Sequence, residues 1–166
     1  MAGYRGRVDT SVSNDDLREL ARDLLRATLE GPSGEYNLFS QGSAGLLPTL
    51  ADLSPEEASL PVARGRPSLA AFVSHLTQVL QYAPRALRGD EAQPDWSVAW
   101  SVTTVNDLGW TRMREGLREA AELLDAALAD QGDLSLAQTR AVFASVAHAA
   151  SHAGAIRFAA RNLRAE

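Results

Sequence analysis

Four segments of this chain place apolar residues three and four apart for long enough to form amphipathic helices, and each opens on a hydroxyl residue able to cap it. The first begins at Ser13, with Asp16 completing a capping box, and sets Leu17, Leu20, Ala21, Leu24, Leu25 and Thr28 on one face before Gly31 and Pro32 end it. The second is capped by Ser68 and carries Leu69, Phe72, Val73, Leu76, Val79, Leu80 and Ala83; it ends near Gly89, and Pro84 marks a kink or an early stop. The third opens at Thr104 with Asp107 in its capping box and runs through Leu108, Met113, Leu117, Ala120, Leu124 and Leu128 to about Ala129. The fourth is capped by Ser135 with Gln138 and continues through Val142, Phe143, Val146, His148, His152, Ile156 and Leu163. β-Branched and aromatic residues are sparse against this alanine- and leucine-rich background, so the expected fold class is all-α.

The connections constrain how these helices can be arranged. Ser33 to Pro67 is punctuated by glycine and proline, with a short apolar helical piece around Leu46 to Leu53. A brief helix is then started by Ser54, Pro55, Glu56 and Glu57. The stretch Asp90 to Thr103 holds Pro94, Asp95, Trp96 and Trp100 and reads as an irregular connector with buried aromatic anchors. Gln131 to Leu134 is the one short link, which makes helices three and four an antiparallel hairpin. Extended at ~3.3 Å per residue, the chain from Gly89 to Thr104 covers about 50 Å, more than the roughly 30 Å of a twenty-residue helix. Helices two and three can therefore be parallel. A length of 166 residues suits one domain. The expected organisation is a flexible N-terminus over 1–12 and a single helical domain over 13–166.

Charge and composition exclude several functions. The net charge is -5 and arginine supplies all the side-chain cations, with no lysine and no basic stripe, so a nucleic-acid partner is not expected. No cysteine is present, which excludes disulfides, thiolate metal sites and a cysteine nucleophile. Met1 to Val12 lacks the apolar core of a signal peptide, and no later run is continuously apolar for the thickness of a bilayer. A cytoplasmic location without a membrane partner is the expectation.

The chain has three histidines, His75, His148 and His152. Residues 148 and 152 are four apart, so their Cβ atoms lie ~5–6 Å apart on one helix face and both imidazoles can converge on one ion. His75, among Phe72, Val79 and Tyr82 on the inward face of helix two, is the remaining candidate for a third ligand. Ala144, Ser145, Ser151, Ala155 and Ala159 accompany the pair on helix four, and small residues beside large ligands leave room for a cavity. Three nitrogens without an evident fourth protein ligand make the pattern of an open, catalytic-type site, at which a water or a thiol is acidified.

The helix-four run Ala147-His148-Ala149-Ala150-Ser151-His152-Ala153-Gly154-Ala155-Ile156-Arg157 resembles the AHxxxHxGAIR signature of the DinB-like (YfiT-like) metalloenzyme family. The likeness extends to Ser68–His75 leading a helix that holds the first histidine, to Asp95-Trp96 with Trp100 as a DW..SW connector, and to Trp110, across roughly residues 14 to 163. The resemblance implies a four-helix bundle of up-down-down-up topology, His75, His148 and His152 as ligands of nickel or zinc, and a homodimer. It also implies a metal-dependent S-transferase using a low-molecular-weight thiol of the bacillithiol or mycothiol type and a small electrophile in stress or detoxification. Ser151 and Ala153 depart from the bulkier residues common in the family and widen the site. With no thiol of its own, the chain would need the cosubstrate to bring the sulfur.

Two other functions compete with that one. A metal-hydroxide hydrolase lacks a carboxylate base on the histidine faces, and a non-catalytic, metal-stabilised bundle binding a small ligand or partner is the reading if the cavity is filled. Tyr82, one helical repeat beyond His75, and Ser151 are the candidate pocket residues, Tyr82 as a proton donor or as an ordinary hydrogen-bonded core tyrosine. Trp96, Trp100 and Trp110 read as core anchors. Arg157 lies about 180° around helix four from His148 and reads as a partner for an acid such as Asp95. Glu115, Glu119 and Glu122 form a solvated face interleaved with Arg112, Arg114 and Arg118.

Overall fold

A computed structural model describes residues 11–32, 45–90 and 93–163. Most of the expected flexible N-terminus, part of the first long connection and the last three residues lie outside the described residues. Among the described residues seven helices follow one another: α1 (Asn14–Leu29), α2 (Leu46–Ala51), α3 (Pro55–Ala58), α4 (Leu69–Leu87), α5 (Trp96–Trp100), α6 (Asp107–Asp130) and α7 (Leu136–Asn162). No strand occurs among the described residues, only an isolated bridge between Pro61 and Ser68.

The caps act locally. Ser13, Ser54 and Ser135 each form a reciprocal capping box with Asp16, Glu57 and Gln138, and Ser68 accepts from the Ala71 amide. Gly31 and Gly89 take positive φ values of 104° and 82° just beyond α1 and α4, where a side chain would be strained. Three local readings need correction. First, of the two readings of Pro84, a kink or an early stop, the early stop does not occur: α4 runs on to Leu87, at the expected end near Gly89. The proline costs the bond to the Leu80 carbonyl, and burial of Ala83 and Leu87 in the core on either side offsets that loss. Second, the connector after Gly89 is not irregular throughout, because Asp95 accepts from the amide and hydroxyl of Ser97 and so starts α5. Third, α6 starts two residues later than Thr104 implies, with Asn106 capping the Gly109 amide at 2.9 Å and Asp107 as the first helical residue.

The four long helices meet in defined pairs. α4 packs against α6 and α7, and α1 packs against α7 and α6. Hydrogen bonds show which ends meet. Asn14 accepts from the Leu134 amide at 3.1 Å and Arg18 donates to the Gly132 carbonyl at 2.8 Å, so α1 begins beside the α6–α7 link. Gln138 donates to the Leu87 carbonyl at 2.8 Å, which puts the start of α7 at the end of α4. Ser68 donates to the Val102 carbonyl at 2.8 Å, so α4 and α6 begin at the same end. The short link does reverse the chain, but the expected hairpin of helices three and four is not formed, since α6 and α7 are not packed neighbours. Each instead buries its apolar stripe on α4 and α1. On α6 that stripe is Leu117, Ala120, Leu124 and Leu128. Arg22 braces α1 to α6 through two bonds to the Asp125 carboxylate, at 2.9 and 2.8 Å.

Candidate metal centre

The contact between α4 and α7 brings the three histidines together. His75 comes from the middle of α4, while His148 and His152 are one turn apart on α7. The Nε2 of His148 lies 3.0 Å from Nε2 of His75 and 2.8 Å from Nε2 of His152. This is the one group of three or more metal-ligating side chains among the described residues, with one nitrogen from each within 4.8 Å of the others.

Three imidazole nitrogens meeting this closely are poorly served by hydrogen bonds. A neutral ring nitrogen has either one proton or one lone pair, so the His148 Nε2 cannot make two well-formed bonds, one to each neighbour. A single cation satisfies all of them. With metal–nitrogen bonds of ~2.0–2.1 Å, two ligands at a right angle sit about 2.8–3.0 Å apart, which is the spacing observed. The residues therefore fit a divalent transition ion. Burial and the neighbouring His148 push the His75 imidazole below its ordinary value. Burial first, then the charges of His148 and His75, push His152 down to about 4. Both rings are thereby held neutral near pH 7, with lone pairs available.

Aromatic rings wall one flank. Trp100 stacks on His75 with centroids 4.2 Å apart, and Trp96 stands edge-on to His75 at 5.8 Å. Phe72 packs edge-to-face on both Trp100 and His152, each at 5.2 Å. Trp96 is a partly exposed wall of the site rather than a core anchor, Trp100 is half-buried and packs on the core while also walling the site, and Trp110 is a fully core residue whose Nε1 donates to the Leu53 carbonyl at 2.9 Å. The i, i+4 spacing of Trp96 and Trp100 is the signal in the sequence, but it acquires meaning only when Asp95 starts a helix. The Nδ1 of His75 is buried without a hydrogen-bond partner among the described residues.

A cavity of about 470 Å³, whose lining includes Trp96 but neither Phe72 nor Trp100, opens between α4, α5 and α7; it is lined by His75, Val79, Tyr82, Ala86, Trp96, Ala141, Ala144, Ser145 and His148. Tyr82 is thus in the cavity, and its hydroxyl accepts from Gln93 Nε2 at 2.6 Å. Ser151 is exposed and is not part of the lining. Of the small residues expected to flank the site, Ala144 and Ser145 do so, whereas Ala159 is buried in the core. A larger hollow of about 540 Å³ lies between α1, α2 and α6, away from the histidines. No family model, curated protein or solved structure matches the chain.

Proposed function

We propose that this chain is a DinB-like metal-binding protein, a four-helix bundle of up-down-down-up topology in which His75, His148 and His152 hold one nickel or zinc ion. The observation that carries this reading is the convergence of three Nε2 atoms at 2.8 and 3.0 Å beside an open cavity. The motif resemblance and the helix ends that meet support the topology. When bound, the ion supplies Lewis acidity toward a thiol sulfur or a water oxygen. The chain's own residues orient the site. Trp100 and Phe72 hold the rings of His75 and His152 and exclude water from one flank, while exposed His148 faces the open side.

The activity we assign is metal-dependent S-transfer from a low-molecular-weight thiol to a small electrophile, in the cytoplasm and as a homodimer. No helix among the described residues is long and apolar enough to cross a membrane. The hydrolase reading is disfavoured because no carboxylate among the described residues lines the cavity to act as a base. A non-catalytic module is the second reading, favoured by the way an ion at these histidines would tie α4 to α7 irrespective of any reaction. Elemental analysis of purified protein after dialysis against nickel or zinc tests the site. Near one equivalent in the wild type and little in His148→Ala supports it, and equal uptake by both rejects it. Conjugation of electrophiles with bacillithiol or mycothiol then separates the two readings. Turnover no faster than that of His152→Ala rejects the transferase.

A further inference from the structure

The cavity beside His75 and His148 has a lining that sorts ligands by charge. Its side walls are Val79, Tyr82 and Ala86 from α4, Trp96 from α5, and Ala141, Ala144 and Ser145 from α7. No arginine, aspartate or glutamate is among them in the described lining. A carboxylate or ammonium seated against these walls would lose part of its hydration and gain no counter-charge from the described lining. The polar groups are few and already directed. Ser145 donates to the Ala141 carbonyl at 2.9 Å. Tyr82 accepts from Gln93, so its own proton is left to donate elsewhere. The rings of Tyr82 and Trp96 meet at 78° with centroids 5.8 Å apart, forming a corner that offers a flat molecule one aromatic face and one edge.

We infer that this cavity is the electrophile's subsite and takes an uncharged, apolar, flat molecule of about the size of a bicyclic aromatic, with the Tyr82 hydroxyl donating to its one polar atom. The volume of about 470 Å³ is in the range of small-molecule pockets. Since Phe72 and Trp100 fill the opposite flank, such a molecule reaches the Nε2 cluster from the Tyr82 side, and the charged body of a cosubstrate thiol stays in solvent beside exposed His148. As an electrophile subsite the cavity rests on the metal-centre reading above, whereas its preference for a neutral apolar body does not.

Calorimetric titration of the full chain, metal-free and zinc-loaded, with 2-naphthol and with naphthalene-2-carboxylate separates these points. The neutral probe binds both forms, and the carboxylate binds the metal-free chain at least roughly tenfold more weakly. Ala144→Phe, which projects a ring into the cavity from an exposed helix position, weakens 2-naphthol at least about tenfold and leaves zinc uptake unchanged. Ala147→Phe, exposed on the same helix but outside the lining, leaves both unchanged. Equal affinity of the two probes for the metal-free chain, undiminished 2-naphthol binding by Ala144→Phe, or no binding of 2-naphthol to either form overturns the inference. Loss of zinc uptake with 2-naphthol still bound defeats the metal reading alone, and zinc uptake without 2-naphthol binding defeats this one alone.

Discussion

Metal uptake should stabilise the fold through His148. Its Nε2 is within 3.0 Å of both other ligand nitrogens, so it is the one ring shared by the two close contacts, and its loss leaves one ligand on each of α4 and α7. An ion that binds only the folded chain stabilises it by about 2.7 kcal/mol when present at a hundred times its dissociation constant. For a domain of this size each kcal/mol moves the melting midpoint by ~2–4 °C, so saturating zinc should raise it by roughly 5–10 °C. His148→Ala should abolish that rise. The same substitution should alter the metal-free melting little, because the ring is exposed and contributes little to the core. Scanning calorimetry of both proteins, chelator-treated and zinc-loaded at pH 7, measures all four states. A rise of equal size in both proteins, or no rise in the wild type, refutes the reasoning.

Metal-free protein should lose stability in acid. The folded state holds His152 down at about 4, whereas the unfolded chain protonates it near 6.5, so the unfolded state binds the extra proton between those values. Stability from this group is full above pH 6.5 and falls by about 1–2 kcal/mol by pH 4, once solvent screening of this half-buried ring is allowed for; urea midpoints should drop more over this range in the wild type than in His152→Ala, and parallel drops would contradict the assignment. Trp110→Phe should cost ~2–4 kcal/mol, since it opens a cavity in the core and leaves the Leu53 carbonyl without its indole donor. Unfolding by denaturant reads this directly, and a loss under 1 kcal/mol would show that the site relaxes. Gly45→Ala should destabilise by about 1–3 kcal/mol, because its Cβ would fall 2.2 Å from the Glu30 carbonyl carbon at the end of α1. Gly116→Ala, in open space within α6, should stabilise by roughly 0.5–1 kcal/mol. A melting comparison of the two variants tests both signs together.

Several features of the site are legible in the sequence because their causes are local. The serine caps at 13, 54, 68 and 135 act on amides three residues away, and the spacing of His148 and His152 puts both rings on one helix face whatever lies opposite. Other features depend on competition between neighbours. Asn106 takes the cap that the sequence pattern assigns to Thr104, and Asp95 turns an apparent connector into α5, which puts Trp96 and Trp100 against His75. Ser151 reads as a pocket residue from its place in the signature, yet the rotation of α7 against α4 leaves it exposed and turns Ala141, Ala144 and Ser145 to the cavity instead.

By itself, the sequence determined the all-helical class, most helix starts and the paired histidines, since periodicity and capping are written within a turn or two of chain. Only the tertiary structure decided that α6 and α7 are not packed neighbours despite their short link, and that His75 meets the pair through Nε2. Which helices become neighbours is set by how all the apolar stripes are buried at once, a sum over the whole chain that no single segment contains.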